Sequence, residues 1–129
     1  PYSYLAIDRL SQIENRYDVR SLWQPFSAKA AGQNYQSAPF SADRSSYIKE
    51  DATRLAKKMG IPIVFNPEWP EKEFDPDRSV RGAIVAADLE RIMEYNIKMF
   101  QQWWGESLDP NEQAFFIQLC DELDVDPNE

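Results

Sequence analysis

The residues best suited to chemistry open the chain, as Pro1-Tyr2-Ser3-Tyr4-Leu5-Ala6. Proline is favoured at the first helical position, and apolar periodicity begins at once with Tyr2, Leu5, Ala6 and Ile13. The stretch therefore predicts the first turn of a helix whose cap would precede it. Such a helix N-terminus presents unpaired N–H donors and about half a positive charge, enough to hold an anion or lower the pKa of a thiol placed there. Asp51 and Arg54, three residues apart, form a second polar pair. As surface ions they contribute only about 0.3 kcal/mol, so a larger role requires burial or a ligand.

Other chemistries are excluded for this stretch of chain. Histidine is absent, which removes Ser-His-Asp and Cys-His catalysis and His-rich zinc sites. Cys120 is the single cysteine, so neither an internal disulfide nor a C-x-x-C pair can form. It falls mid-helix among Phe116, Leu119 and Leu123, where apolar neighbours raise a thiol's pKa and leave it inert. The acidic residues from Asp121 to Glu129 lack the glycine-centred twelve-residue loop of an EF-hand and read as a solvated face.

The elements that must position these residues are set by periodicity. A first helix is predicted from Pro1 to about Asn15. A strand is expected over Asp18 to Phe26, where Val19, Ser21 and Trp23 alternate with Arg20, Leu22 and Gln24 before Pro25. A short helical turn ends at Gly32 and leads into a loop, in which Asn34 reads as a turn residue. The next helix spans Ala42 to Met59 and stops at Gly60, leaving Ile61-Pro62-Ile63-Val64-Phe65 extended. Pro67, Pro70 and Pro76 stiffen a loop that fixes Trp69 and Phe74, to cover the core or to wall a cleft. One long helix is expected from Asp77 or Ser79 to Gly105, with two apolar stripes, one for the helix from Ala42 to Met59. Tyr95, Trp103 and Trp104 lie at helical spacing on it, which favours core over ligand contact. A final helix takes Asp109 as N-cap, Pro110 at its first position and Glu112 to complete a capping box.

At 129 residues, with 43% apolar and 28% charged, the chain fits one domain. A net charge of −8 argues against nucleic acid, whose affinity comes from neutralising phosphates with Lys and Arg. No run approaches the length of a membrane span and no signal segment is visible, so the cytoplasm is the default location.

Taken in order, the opening hexapeptide, Tyr47-Ile48-Lys49-Glu50-Asp51, Arg54-Leu55-Ala56, Gly60-Ile61-Pro62 and Phe100-Gln101-Gln102-Trp103-Trp104-Gly105-Glu106-Ser107-Leu108-Asp109 resemble the 2-hydroxychromene-2-carboxylate isomerases. That family is related to kappa-class glutathione transferases within the DsbA-like, thioredoxin-like superfamily. The resemblance implies a mainly α chain carrying part of a thioredoxin-like α/β fold, with sheet strands missing at both ends. Residues 1–26 would belong to the thioredoxin part and 27–129 to a helical insertion, the whole being a segment of a longer protein. It also implies a serine just before Pro1 that hydrogen-bonds the glutathione sulfur. Pro1 and Tyr2 would shape the glutathione site, and Asn34 would touch the peptide. The Pro67-Glu68-Trp69-Pro70 run resembles a Pro-x-x-Phe-Pro element of the family, with Trp for Phe.

The implied function is a glutathione-dependent isomerase of cis-trans type acting on a small aromatic substrate in aromatic hydrocarbon catabolism, with a homodimer as its assembly. Two alternatives remain. One is another superfamily activity, thiol-disulfide exchange or kappa-like transfer, although Ser3 stands where the second cysteine of a redox pair would fall. The other is a non-catalytic helical fragment.

Overall fold

A computed structural model describes residues 1–27, 41–70 and 75–126. Its elements are α1 (Tyr2–Ser11), α2 (Ile13–Arg16), α3 (Ala42–Met59), α4 (Pro76–Asp88), α5 (Ile92–Phe100), a π turn (Gln101–Gly105) and α6 (Gln113–Glu122). No strand forms among the described residues. The short turn ending at Gly32, together with Asn34 and Phe74, lies outside them.

The helix α3 keeps its expected bounds because both of its ends are chemically specified. Ser41 Oγ accepts the Arg44 N–H at 3.3 Å, and Gly60 turns left-handed at φ 70°. The Ile61 N–H then reaches back to the Ala56 carbonyl, closing a Schellman motif.

The expected long helix breaks in two. Leu89 caps α4, Glu90 adopts φ 59°, and the N–H groups of Glu90 and Arg91 return to the carbonyls of Ala87 and Ala86. This is the same Schellman geometry with a glutamate at the left-handed position, where glycine is the usual residue. Continuous apolar spacing hides the break because no glycine marks it. Past α5 the chain widens into the π turn, where the Glu106 N–H bonds the Gln101 carbonyl at 3.0 Å.

Three further expectations are corrected. The first helix ends at Ser11, and a single turn, α2, comes after a break at Gln12. The strand over 18–26 does not form: a strand needs a partner for its N–H and C=O groups, and here the Ser21 N–H takes the Glu14 carboxylate instead. The final helix starts at Gln113. Asp109 Oδ1 accepts the Asn111 N–H at 2.8 Å and its carbonyl accepts the Glu112 N–H, so the residues from Asp109 to Glu112 make an Asx-type turn ahead of the helix.

Helix α5 touches α1, α4 and α6 and separates two apolar clusters. On one side Ala83 and Ala86 of α4 meet Tyr95 and Met99 of α5 and Phe115, Leu119 and Leu123 of α6. The buried position on α6 is Phe115, whereas Phe116 is half-buried. On the other side Tyr4 and Leu5 of α1 meet Ala52 and Ala56 of α3 and Trp104 of the π turn. Phe100 and Trp103 pack against both clusters. Each large side chain so buried contributes about 1.5–3 kcal/mol. Of the two apolar stripes read from the sequence, Met99 reaches the α6 cluster and Trp104 the cluster of α1 and α3, whereas Val85 and Leu89 are exposed.

Candidate functional site

The N-terminus of α1 is held from below and from the side. Tyr4 and Leu5 anchor it in the core, and the Tyr4 hydroxyl donates to the Pro62 carbonyl at 2.8 Å. Pro1 stands at the N-cap, and its side chain offers no acceptor to the first-turn N–H groups. Burial raises the Tyr4 phenol pKa, with Glu106 adding to the shift, which keeps it a neutral donor.

Beside this turn Tyr2, 43% exposed, donates its hydroxyl to Asp51 Oδ2 at 2.9 Å. Asp51 also receives Arg54 Nη2 at 2.6 Å on its other oxygen. One carboxylate on α3 thus joins the first turn of α1 to a guanidinium whose side chain is 71% exposed, while Asp51's own side chain is only 16% exposed. The hydrogen bonds from Arg54 and Tyr2 hold the Asp51 carboxyl below the usual carboxylate range. The Tyr2 phenol moves up, first because it is partly desolvated and then because Asp51 accepts its proton. The sequence presents Asp51 and Arg54 as a local pair, which they are. Their link to Tyr2, 49 residues away, was invisible, and the only signal for it was the co-occurrence of both stretches among the resembling motifs.

Pro1 and Tyr2 therefore sit together at the expected helix end, whereas Asn34 lies outside the described residues. The aromatics divide as expected: Tyr95 and Trp104 are core, with Tyr95 donating to the Ser79 carbonyl at 2.9 Å. Trp69 is half-buried, 5.2 Å from Phe65 and 6.2 Å from Trp104 between ring centroids, with Lys49 Nζ 5.5 Å above it. Trp69, Trp103 and Trp104 wall a shallow cleft closed by Asn66 and Pro110. Cys120 lies on α6, where burial and the nearby Asp121 and Asp126 carboxylates push its thiol pKa up, as the apolar surroundings predict. No group of three or more Cys, Asp or Glu side chains among the described residues is placed to hold a metal ion. No described helix is long and apolar enough to cross a membrane.

All of residues 1–129 match the family model of the DSBA-like thioredoxin domain, and the chain belongs to that family. Its similarity extends to 2-hydroxychromene-2-carboxylate isomerase of Pseudomonas putida, with 26% identity over 132 residues, covering 98% of this chain and 62% of that protein. A solved structure of a 2-hydroxychromene-2-carboxylate isomerase superposes with a TM-score of 0.78 at 24% identity, over 99% of this chain and 63% of that one. The resemblance read from the ordered motifs is thereby borne out. The chain spans somewhat under two thirds of the length of each of these relatives.

Proposed function

We propose that this chain forms the cofactor-facing helical layer of a glutathione-dependent isomerase acting on a small aromatic carboxylate. The observation that carries the reading is the Asp51 carboxylate, which holds Tyr2 of the first turn of α1 and Arg54 together at the helix N-terminus. The pair suits glutathione, a peptide with two carboxylates and a thiol whose reactive form is an anion. When bound, glutathione supplies the thiol nucleophile for addition to and expulsion from the substrate. The chain's part is electrostatic and positional. First-turn N–H groups and the helix dipole favour a negative sulfur at this end, and Arg54 offers donors to a carboxylate. Asp51 fixes Arg54 and Tyr2 relative to one another, so that less side-chain freedom is lost when a ligand arrives.

Support comes from the names of the similar proteins, both 2-hydroxychromene-2-carboxylate isomerases. A calorimetric titration of glutathione into the full-length gene product tests the reading. Saturable binding at micromolar to millimolar affinity, about −8 to −4 kcal/mol, is expected. Absence of saturable heat from protein of confirmed mass overturns it.

A further inference from the structure

The cleft walled by Trp69, Trp103 and Trp104 also takes in Asp109, the one charged side chain on its lining. Trp103 is stacked on Trp104 with 23° between their planes, whereas Trp69 stands at 76° to Trp104. Indole surface is therefore presented in two orientations that meet in a corner. Trp69 and Trp103 are only half-buried, which leaves ring surface accessible from the cleft. Two local turns fix the polar rim: Asn66 Oδ1 accepts the Glu68 N–H at 2.9 Å, and Asp109 Oδ1 accepts the Asn111 N–H at 2.8 Å. The enclosed space is about 30 Å³. A water needs about 10–15 Å³ measured in this way, so the cleft has room for roughly two non-hydrogen atoms.

We infer that this cleft binds the ammonium head of a primary alkylamine, with the indoles around the cation, Asp109 as its counter-ion and the alkyl tail leaving toward solvent. Indole attracts a cation to its face more strongly than any other side-chain ring. Trp69 already shows this attraction, since Lys49 Nζ lies 5.5 Å above its ring. A carboxylate has about four acceptor positions, so Asp109 has capacity beyond the bond from Asn111. Size narrows the class: a primary ammonium and its first carbon match the enclosed space, and a quaternary ammonium exceeds it. The net charge of −8 favours the approach of a cation over that of an anion. The site is independent of the glutathione reading, because it takes a ligand of the opposite charge and uses no residue of the α1 end.

The test uses n-butylamine, protonated at neutral pH, against n-butanol as a neutral ligand of the same length. Each is titrated into the isotopically labelled full-length gene product at constant ionic strength, and the indole N–H signals are followed by NMR. Single Trp→Phe substitutions identify the signals of Trp69, Trp103 and Trp104. Butylamine is expected to move these signals saturably, at least threefold more tightly than butanol. Asp109→Asn keeps the acceptor for the Asn111 N–H and removes the charge. It should weaken butylamine on the order of tenfold and leave butanol unchanged. Trp69→Leu should weaken butylamine severalfold, with circular dichroism confirming the fold. Should that variant not fold, Asp109→Asn decides alone. Equal affinity for amine and alcohol, or native amine affinity in Asp109→Asn, overturns the inference. So does an amine response confined to Trp23 or to signals outside the cleft.

Discussion

The Tyr2 hydroxyl donates to Asp51 across 2.9 Å, tying the first turn of α1 to the middle of α3 through one exposed hydrogen bond. Asp51 simultaneously holds Arg54, so a single carboxylate orders both walls of the candidate glutathione site.

Asp51→Asn should therefore affect binding more than folding. Surface pairs of this kind contribute little to stability, but the asparagine no longer attracts Arg54 as an ion. Glutathione affinity is expected to fall by about tenfold, near 1.4 kcal/mol, with the urea midpoint almost unchanged. Unaltered affinity by calorimetry would remove Asp51 from the site.

The same carboxylate gives a pH dependence with a defined sign. Its folded pKa lies below its ordinary value of 3.8, so the stabilisation is present above that value and is lost as pH falls through the lower, folded pKa. Tyr2→Phe removes one of the two donors that hold the Asp51 pKa down. The acid limb of a stability-versus-pH curve should be shallower for Tyr2→Phe than for the native protein. Identical limbs would count against the bond in solution.

At the break between α4 and α5, Glu90 takes a left-handed conformation that suits glycine. Glu90→Gly is expected to stabilise the protein by about 1 kcal/mol, read as a higher urea midpoint with an unchanged slope. Destabilisation would mean that α4 continues through this position. The opposite result is expected at Gly60, where alanine must adopt the φ of 70° and should cost about 1 kcal/mol.

Gly82 faces Tyr95 so closely that a Cβ at this position would lie 2.5 Å from the phenolic oxygen. Alanine normally favours helices over glycine, yet Gly82→Ala should destabilise by about 1–3 kcal/mol through overpacking. Adding Tyr95→Phe removes the clashing oxygen and should recover part of that loss. Additive effects in the double-mutant cycle would refute the contact.

Cys120 offers a chemical check on burial. Its thiol pKa is raised by partial burial and by two neighbouring carboxylates, so iodoacetamide should alkylate it more slowly in folded protein than in urea, at any pH below the folded pKa. Faster reaction in the folded state would mark a reactive thiol.

Legibility in the sequence tracked the location of the determinants. Helix α3 was readable because Ser41 and Gly60 write its ends locally, and α6 was readable as a helix, though not its start, because an Asx turn and a capping box begin with the same residue types at Asp109 and Glu112. The α4–α5 break was not readable, since Glu90 takes the left-handed role without announcing it and the stripe from Val85 to Ile92 runs on unbroken. The strand over 18–26 failed because alternation describes a surface that fits a sheet and cannot provide the neighbour that makes one. Of the candidate site, the helix end was plain from Pro1-Tyr2, whereas the bond from Tyr2 to Asp51 depends on how α1 and α3 cross. No local pattern encodes that crossing.

The π turn from Gln101 to Gly105 works as a phase shift between the two halves of the molecule. A π turn holds one residue more than an α-helix of the same span, so the chain beyond it is rotated by about 100° relative to regular helical continuation. Trp103 and Trp104, adjacent in sequence and stacked at 4.6 Å, lie in this turn: Trp104 is buried with Tyr4 and Ala52, and Trp103 packs against that cluster and the cluster of α6. Deleting one residue there would restore a regular spiral and turn the indoles by about 100° away from their present neighbours, an error of register that no single side-chain substitution could repair.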